Sequence, residues 1–152
     1  MSTRTTPNMI ESTLKEAAQL HASLPETQRA LIAQAGTLMT ETLRAGRKII
    51  WFGNGGSATQ SQHMAAEFVG RFQQERRSLP SISLTENMAS VTAIGNDYAF
   101  QQIFSRQLEG LAQPGDTAIG LSTSGNSPNV VEALRTAKTL KVQTIGLTGG
   151  TG

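Results

Sequence analysis

Apolar positions recur at helical spacing through residues 8–22, where Ile10, Leu14, Ala17 and Ala18 fall on one side. Ser23-Leu24-Pro25-Glu26 reads as the start of a second helix. Ser23 can cap it, Pro25 suits a first turn that needs no amide donor, and Glu26 can reach back to the cap. That helix carries Leu31, Ile32, Ala35, Leu38, Met39 and Leu43 on one side, and Gly46 suits its end. The period then changes. Ile49-Ile50-Trp51-Phe52 is a continuous apolar run followed by glycines, the mark of a strand buried on both faces. Residues 81–84, 117–121 and 142–147 read as three more strands, with helices near 57–74, 99–112 and 128–140 between them. Such alternation predicts an α/β fold with a doubly wound parallel sheet and right-handed crossovers. The chain reads as one domain over 1–152, helical over 1–46 and a parallel α/β core over 47–152.

At 152 residues, 38% apolar and 16% charged, the chain can bury a core of its own. It has no cysteine, which excludes disulfides and a thiolate nucleophile and suits a reducing compartment; a cytoplasmic protein is expected. Residues 1–9 lack the apolar stretch of a signal peptide, and no apolar run nears the roughly 18–20 residues of a membrane span. The net charge is +2, and Arg76-Arg77 and Arg47-Lys48 are the tight basic pairs. Without a basic stripe, and with one Trp and one Tyr, neither nucleic acid nor a membrane is expected as a partner.

Ligands of doubly wound folds bind beyond the carboxyl ends of the strands, and the loops leaving those ends are chemically distinctive here. Gly53-Asn54-Gly55-Gly56-Ser57 is either a tight strand-to-helix turn or a backbone cradle for a ligand, with Ser57 as a cap. Ser122-Thr123-Ser124-Gly125-Asn126-Ser127-Pro128 gathers hydroxyls before a helix that opens with proline. Ser127 would be the cap, and the loop is either a serine-rich turn or a phosphate site. No Lys follows its glycine, so it is not a Walker loop, and a nucleoside triphosphate is disfavoured as ligand. His63 and Glu67, four apart, point away from the expected core face of their helix (Ala58, Ser61, Ala65, Phe68, Val69 and Phe72). They line a shared site or face solvent, and alone they are half of a metal site. Gly95-Asn96-Asp97 precedes the 99–112 helix, which Asp97 can cap unless it contacts a substrate hydroxyl.

In this order, Gly53-Asn54-Gly55-Gly56-Ser57-Ala58, His63 with Glu67 before Gly70-Arg71-Phe72, Arg77-Ser78-Leu79-Pro80, Gly95-Asn96-Asp97-Tyr98 and the 122–127 serine loop resemble the phosphoheptose isomerases. These belong to the sugar isomerase (SIS) domain superfamily. The serine loop is general to SIS domains; the other segments point to the phosphoheptose branch. The resemblance covers nearly the whole chain. It implies interconversion of sedoheptulose 7-phosphate and D-glycero-D-manno-heptose 7-phosphate, supplying heptose for lipopolysaccharide or other surface glycans. It also implies a flavodoxin-like three-layer α/β/α sandwich assembled as a homotetramer, with sites near subunit boundaries. By the same resemblance Ser122, Thr123, Ser124 and Ser127 hold the phosphate, while Asn54, Gly55, Gly56, Asn96 and Asp97 contact the sugar. Glu67 is then the base, placed beside the 54–56 loop, and His63 and Glu67 are zinc ligands in metal-containing members.

Ketose–aldose exchange needs such a base, together with polarisation of the carbonyl oxygen and a second group for hydroxyl protons. The family continues past Thr148-Gly149-Gly150 into a strand and a long helix, whose Gln and His complete the metal site and supply that second group. This chain stops at Gly152, and His21 does not match that helix. The expectation is a truncated chain with half an active site, poorly covered on one sheet face and nearly inactive alone. The alternative is a non-catalytic sugar-phosphate-binding or regulatory SIS module.

Overall fold

The computed structural model of the protein describes residues 6–149. The chain divides into a helical unit up to Gly36 and an α/β unit from Thr37 onward. Helix α1 (Thr6–Ala22) and the first part of α2 (Glu26–Arg44) make up the first unit. Ile10, Leu14, Leu20, Leu31 and Ile32 are all exposed on it. Ser23 does not cap α2: its hydroxyl and amide both donate to Gln19 O, at 2.7 and 2.9 Å, and so close α1. Glu26 turns forward to Arg29 (Nε at 3.1 Å) rather than back to a cap.

The second unit contains strands β1 (Ile49–Gly53), β2 (Ser81–Ser83), β3 (Thr117–Ser122) and β4 (Gln143–Thr148). Its further helices are α3 (Gly56–Val69), α4 (Met88–Asp97), α5 (Ser105–Leu111) and α6 (Pro128–Thr139). The sheet order is β2-β1-β3-β4, all parallel, with Ile49 opposite Thr117 and Gly53 opposite Leu121. β1 is central and buried on both faces, which is why its sequence is uninterruptedly apolar. Alternation sends Ile50 and Phe52 to one face, against α4, α5 and α6, and Ile49 and Trp51 to the other, against Met39, Leu43 and α3. The result is the expected three-layer sandwich. The Phe52 and Phe104 rings meet at 5.4 Å, both fully buried, and each such side chain contributes about 1.5–3 kcal/mol. β4 is an edge strand and largely exposed.

Three helical expectations need correction. α3 ends at Val69 rather than near 74, leaving Phe72 72% exposed instead of on the core face; Val69 is exposed too. Gly70 is the C-cap, and the end is held by Arg76, whose guanidinium folds back to take the carbonyls of Glu67 (2.7 Å), Phe68 (2.9 Å) and Gly70 (3.1 Å), a cation at the helix's negative end. A ten-residue helix, α4, occupies Met88–Asp97, its first turn capped by Asn87 Oδ1 accepting from the Ser90 amide. Gly95, Asn96 and Asp97 are therefore its last turn, not a loop, and Asp97 caps no helix. The stretch after it is a short 3-10 turn (Phe100–Gln102) followed by α5.

The end of the sheet opposite the distinctive loops is fixed by Asp116, which is fully buried. Its carboxylate accepts from Lys48 Nζ at 2.7 Å, the Lys48 amide at 3.0 Å and the Gln113 amide at 2.8 Å. Nearby, the hydroxyls of Thr42 and Thr117 pair at 2.6 Å and join the last turn of α2 to β3. Among the described residues no helix is long and apolar enough to cross a membrane.

Candidate functional site

β1 and β3 are neighbours whose helices leave to opposite faces, so their carboxyl ends form the switch point of the sheet. Gly53 closes β1 against β3: a Cβ there would lie 2.7 Å from Ser57 Cβ and 2.8 Å from Leu121 O, so no other residue fits. Gly55, at φ +55°, holds the N-cap position of α3, and Ser57 lies inside the first turn rather than capping it. Asn54, between these glycines, meets Asn129 of α6 in a reciprocal carboxamide pair, Nδ2 to Oδ1 at 2.9 Å one way and 2.8 Å the other.

Across the switch point, the serine loop turns at Gly125 (φ +68°), whose amide donates to Ser122 O. Three hydroxyls converge: Ser122 Oγ lies 2.9 Å from Ser127 Oγ and 3.4 Å from Ser124 Oγ. Ser127 occupies the N-cap position of α6, but its hydroxyl turns to Ser122 instead of capping. The Ser124 and Ser127 amides make no backbone hydrogen bond among the described residues. A helix start that its own cap does not neutralise is suited to an anion. Thr123 is exposed and outside the hydroxyl cluster.

On α3, His63 Nε2 and Glu67 Oε1 are 3.1 Å apart, with the His63 side chain 70% exposed and that of Glu67 29%. Glu67 is therefore half-buried rather than on the outer face, in the turn that Arg76 holds. It is not beside the 54–56 loop: at roughly 1.5 Å per residue it lies about 16 Å further along the helix axis than Gly56. A glutamate side chain does not span that gap. Asn96 Nδ2 donates to Asp97 Oδ1 at 2.8 Å, and among the described residues no hydrogen bond joins either to the two loops. One chain thus brings together Asn54, Gly55, Gly56, Ser122, Ser124 and Ser127, and holds the His63/Glu67 pair elsewhere.

A profile of the SIS domain matches residues 14–149. The phosphoheptose isomerase of Aliarcobacter butzleri is 51% identical over 131 residues, 86% of this chain and 69% of that protein. That of Aquifex aeolicus is 46% identical over 143 residues, 94% of this chain and 75% of that protein. The structure of phosphoheptose isomerase from Neisseria gonorrhoeae superposes with a TM-score of 0.89 at 37% identity, over 97% of this chain and 78% of that one. The chain belongs to the phosphoheptose isomerase family of SIS domains.

For a phosphoheptose isomerase family member, two features matter that sequence reasoning missed. Asn129, 3% exposed, ties the two loops together; an Asn in a first helical turn ordinarily reads as a local cap, and nothing in its spacing announces a partner 75 residues away. Arg76, read as half of a basic pair, is consumed in holding the end of α3. The His63/Glu67 pair offers two of the roughly three protein ligands a zinc ion needs, and no group of three exists among the described residues. The described residues do not by themselves make a zinc site.

Proposed function

We propose that this protein isomerises sedoheptulose 7-phosphate to D-glycero-D-manno-heptose 7-phosphate by enediol-type proton transfer. The observation that carries the reading is the convergence of Ser122, Ser124 and Ser127 at the start of α6, next to the Asn54 loop. Ser122, Thr123, Ser124 and Ser127 receive the phosphate through hydroxyls, backbone amides and the helix dipole. Asn54, Gly55 and Gly56 take the sugar from the other side of the switch point, with Asn96 and Asp97 as further hydroxyl contacts. Glu67 removes a proton from C1 of the ketose as the enediol forms. A proton is then delivered to C2, O2 gains one and O1 loses one, leaving the aldose. A positioned base of this kind is worth about 10²–10⁴ in rate.

Because Glu67 stands about 16 Å along α3 from the loop it must serve, the reading includes a site shared between copies. The assembly is a homotetramer, supported by the exposure of Ile10, Leu14, Leu20, Leu31 and Ile32. Zinc, if held, uses His63 and Glu67 with ligands from outside the described residues. The product feeds lipopolysaccharide-type heptose synthesis in the cytoplasm. The test is NMR in heavy water with sedoheptulose 7-phosphate and the full-length protein. Deuterium at C1 of the recovered ketose and C2 of the product is expected. Tight binding of the ketose with no exchange at C1 would instead favour a non-catalytic sugar-phosphate module.

A further inference from the structure

Asn129 is the second residue of α6, and its carboxamide is almost wholly buried. Burying that group is costly unless its polar atoms are bonded, and an Asn in a first turn ordinarily bonds its own backbone. This one crosses the switch point. Its Nδ2 donates to Asn54 Oδ1 at 2.8 Å, and its Oδ1 accepts from Asn54 Nδ2 at 2.9 Å. Each carboxamide keeps one N–H and one oxygen lone pair. Those on Asn129 are buried, whereas Asn54 is only half-buried and can present its own to a ligand.

We propose that Asn129 is a positioning residue for the sugar. It fixes the rotamer and orientation of the Asn54 carboxamide and so sets the sugar loop in register with the phosphate loop, which α6 itself begins. Asn129 touches no substrate atom and acts through Asn54. The inference rests on the reading above that Asn54 contacts the sugar. Nothing else holds the Asn54 side chain among the described residues, so without Asn129 it is free to rotate. Because the phosphate loop's own bonds, Ser122 to Ser127 and Gly125 to Ser122, do not involve Asn129, phosphate capture is separable from sugar placement.

The experiment is calorimetry on the full-length protein with two probes, inorganic phosphate and sedoheptulose 7-phosphate. Asn129→Ala is expected to leave phosphate affinity within twofold and to weaken the sugar phosphate about tenfold, the loss of one well-placed hydrogen bond. In an Asn54→Ala background the same change should add nothing, because its effect runs through Asn54. Asn129→Leu, which keeps the volume without the bonds, serves if Asn129→Ala does not fold. Equal weakening of both probes, or effects of the two alanine variants that multiply, would overturn the proposal. A wild-type protein that binds phosphate but not the heptulose phosphate would overturn the functional reading first, and this inference with it.

Discussion

Asp116 grips Lys48 twice, through its ammonium at 2.7 Å and through its backbone amide at 3.0 Å, and so staples the start of β3 to the start of β1. Asp116→Asn keeps the shape but turns an NH₂ either toward both Lys48 Nζ and the Gln113 amide or toward the Lys48 amide, all groups that only donate. With Asp116 buried, the mismatch should cost about 1–3 kcal/mol, read as a lower urea midpoint with unchanged slope. Since this end of the sheet is remote from the loops, phosphate affinity of the folded variant should be unaltered. A variant as stable as wild type would mean the staple carries no net energy.

The opposite end of β1 is limited by space rather than charge. A methyl group on Gly53 would collide with a backbone oxygen and a Cβ, neither of which can swing aside. Gly53→Ala should therefore cost about 1–3 kcal/mol and displace Asn54. Thermal melts should fall while heptulose-phosphate binding weakens. Wild-type stability and affinity together would show that the loop yields easily.

Ser124 tests the phosphate loop. Its hydroxyl lies 3.4 Å from Ser122 Oγ and accepts from the Asn126 amide at 3.2 Å. Ser124→Asp sets a fixed negative charge where the phosphate is to sit. Calorimetry should lose detectable binding of sedoheptulose 7-phosphate while circular dichroism is unchanged. Undiminished affinity would remove the serine loop from the site.

Strand β1 was legible because burial on both faces leaves an unbroken apolar run, Ile49–Phe52, and this feature needs no knowledge of partners. Helix α4 was not. Its Ser, Thr, Gly, Asn and Asp are weak helix formers, and only Val91 and Ile94 pack against the core, so neither propensity nor periodicity marks it. Ser23 and Ser57 fit capping patterns locally, but Ser23 is taken up by Gln19 O at the end of α1, and Gly55 at positive φ holds the N-cap position of α3. The loops of the candidate site stood out in composition, as glycines and hydroxyls directly after strands, although the same residues also make ordinary turns. Their pairing did not. The Asn54–Asn129 pair arises only when β1 and β3 are neighbours, whereas the distance of Glu67 from the 54–56 loop already followed from helix rise along the expected 57–74 helix.

That placement makes the strongest test of the functional reading. If Glu67 serves a site whose phosphate loop lies on another copy, two different inactive variants should repair each other. Glu67→Gln keeps the side chain's shape but removes the base; Ser124→Asp removes the phosphate site and leaves Glu67 intact. Each should be inactive alone, and light scattering should show each assembled like the wild type rather than as a monomer. When the two are unfolded together in equal amounts and refolded, copies assort at random. A site then draws an intact serine loop with probability one half and an intact Glu67 with probability one half. About a quarter of wild-type activity should return under this isologous assortment. A site built within one chain gives a different result, because every chain then carries one lesion and the mixture stays inactive. That outcome, with wild-type turnover normal, would sink the shared-site reading while leaving the base assignment standing. Full activity of Glu67→Gln by itself would remove Glu67 as the base, whatever the mixture does.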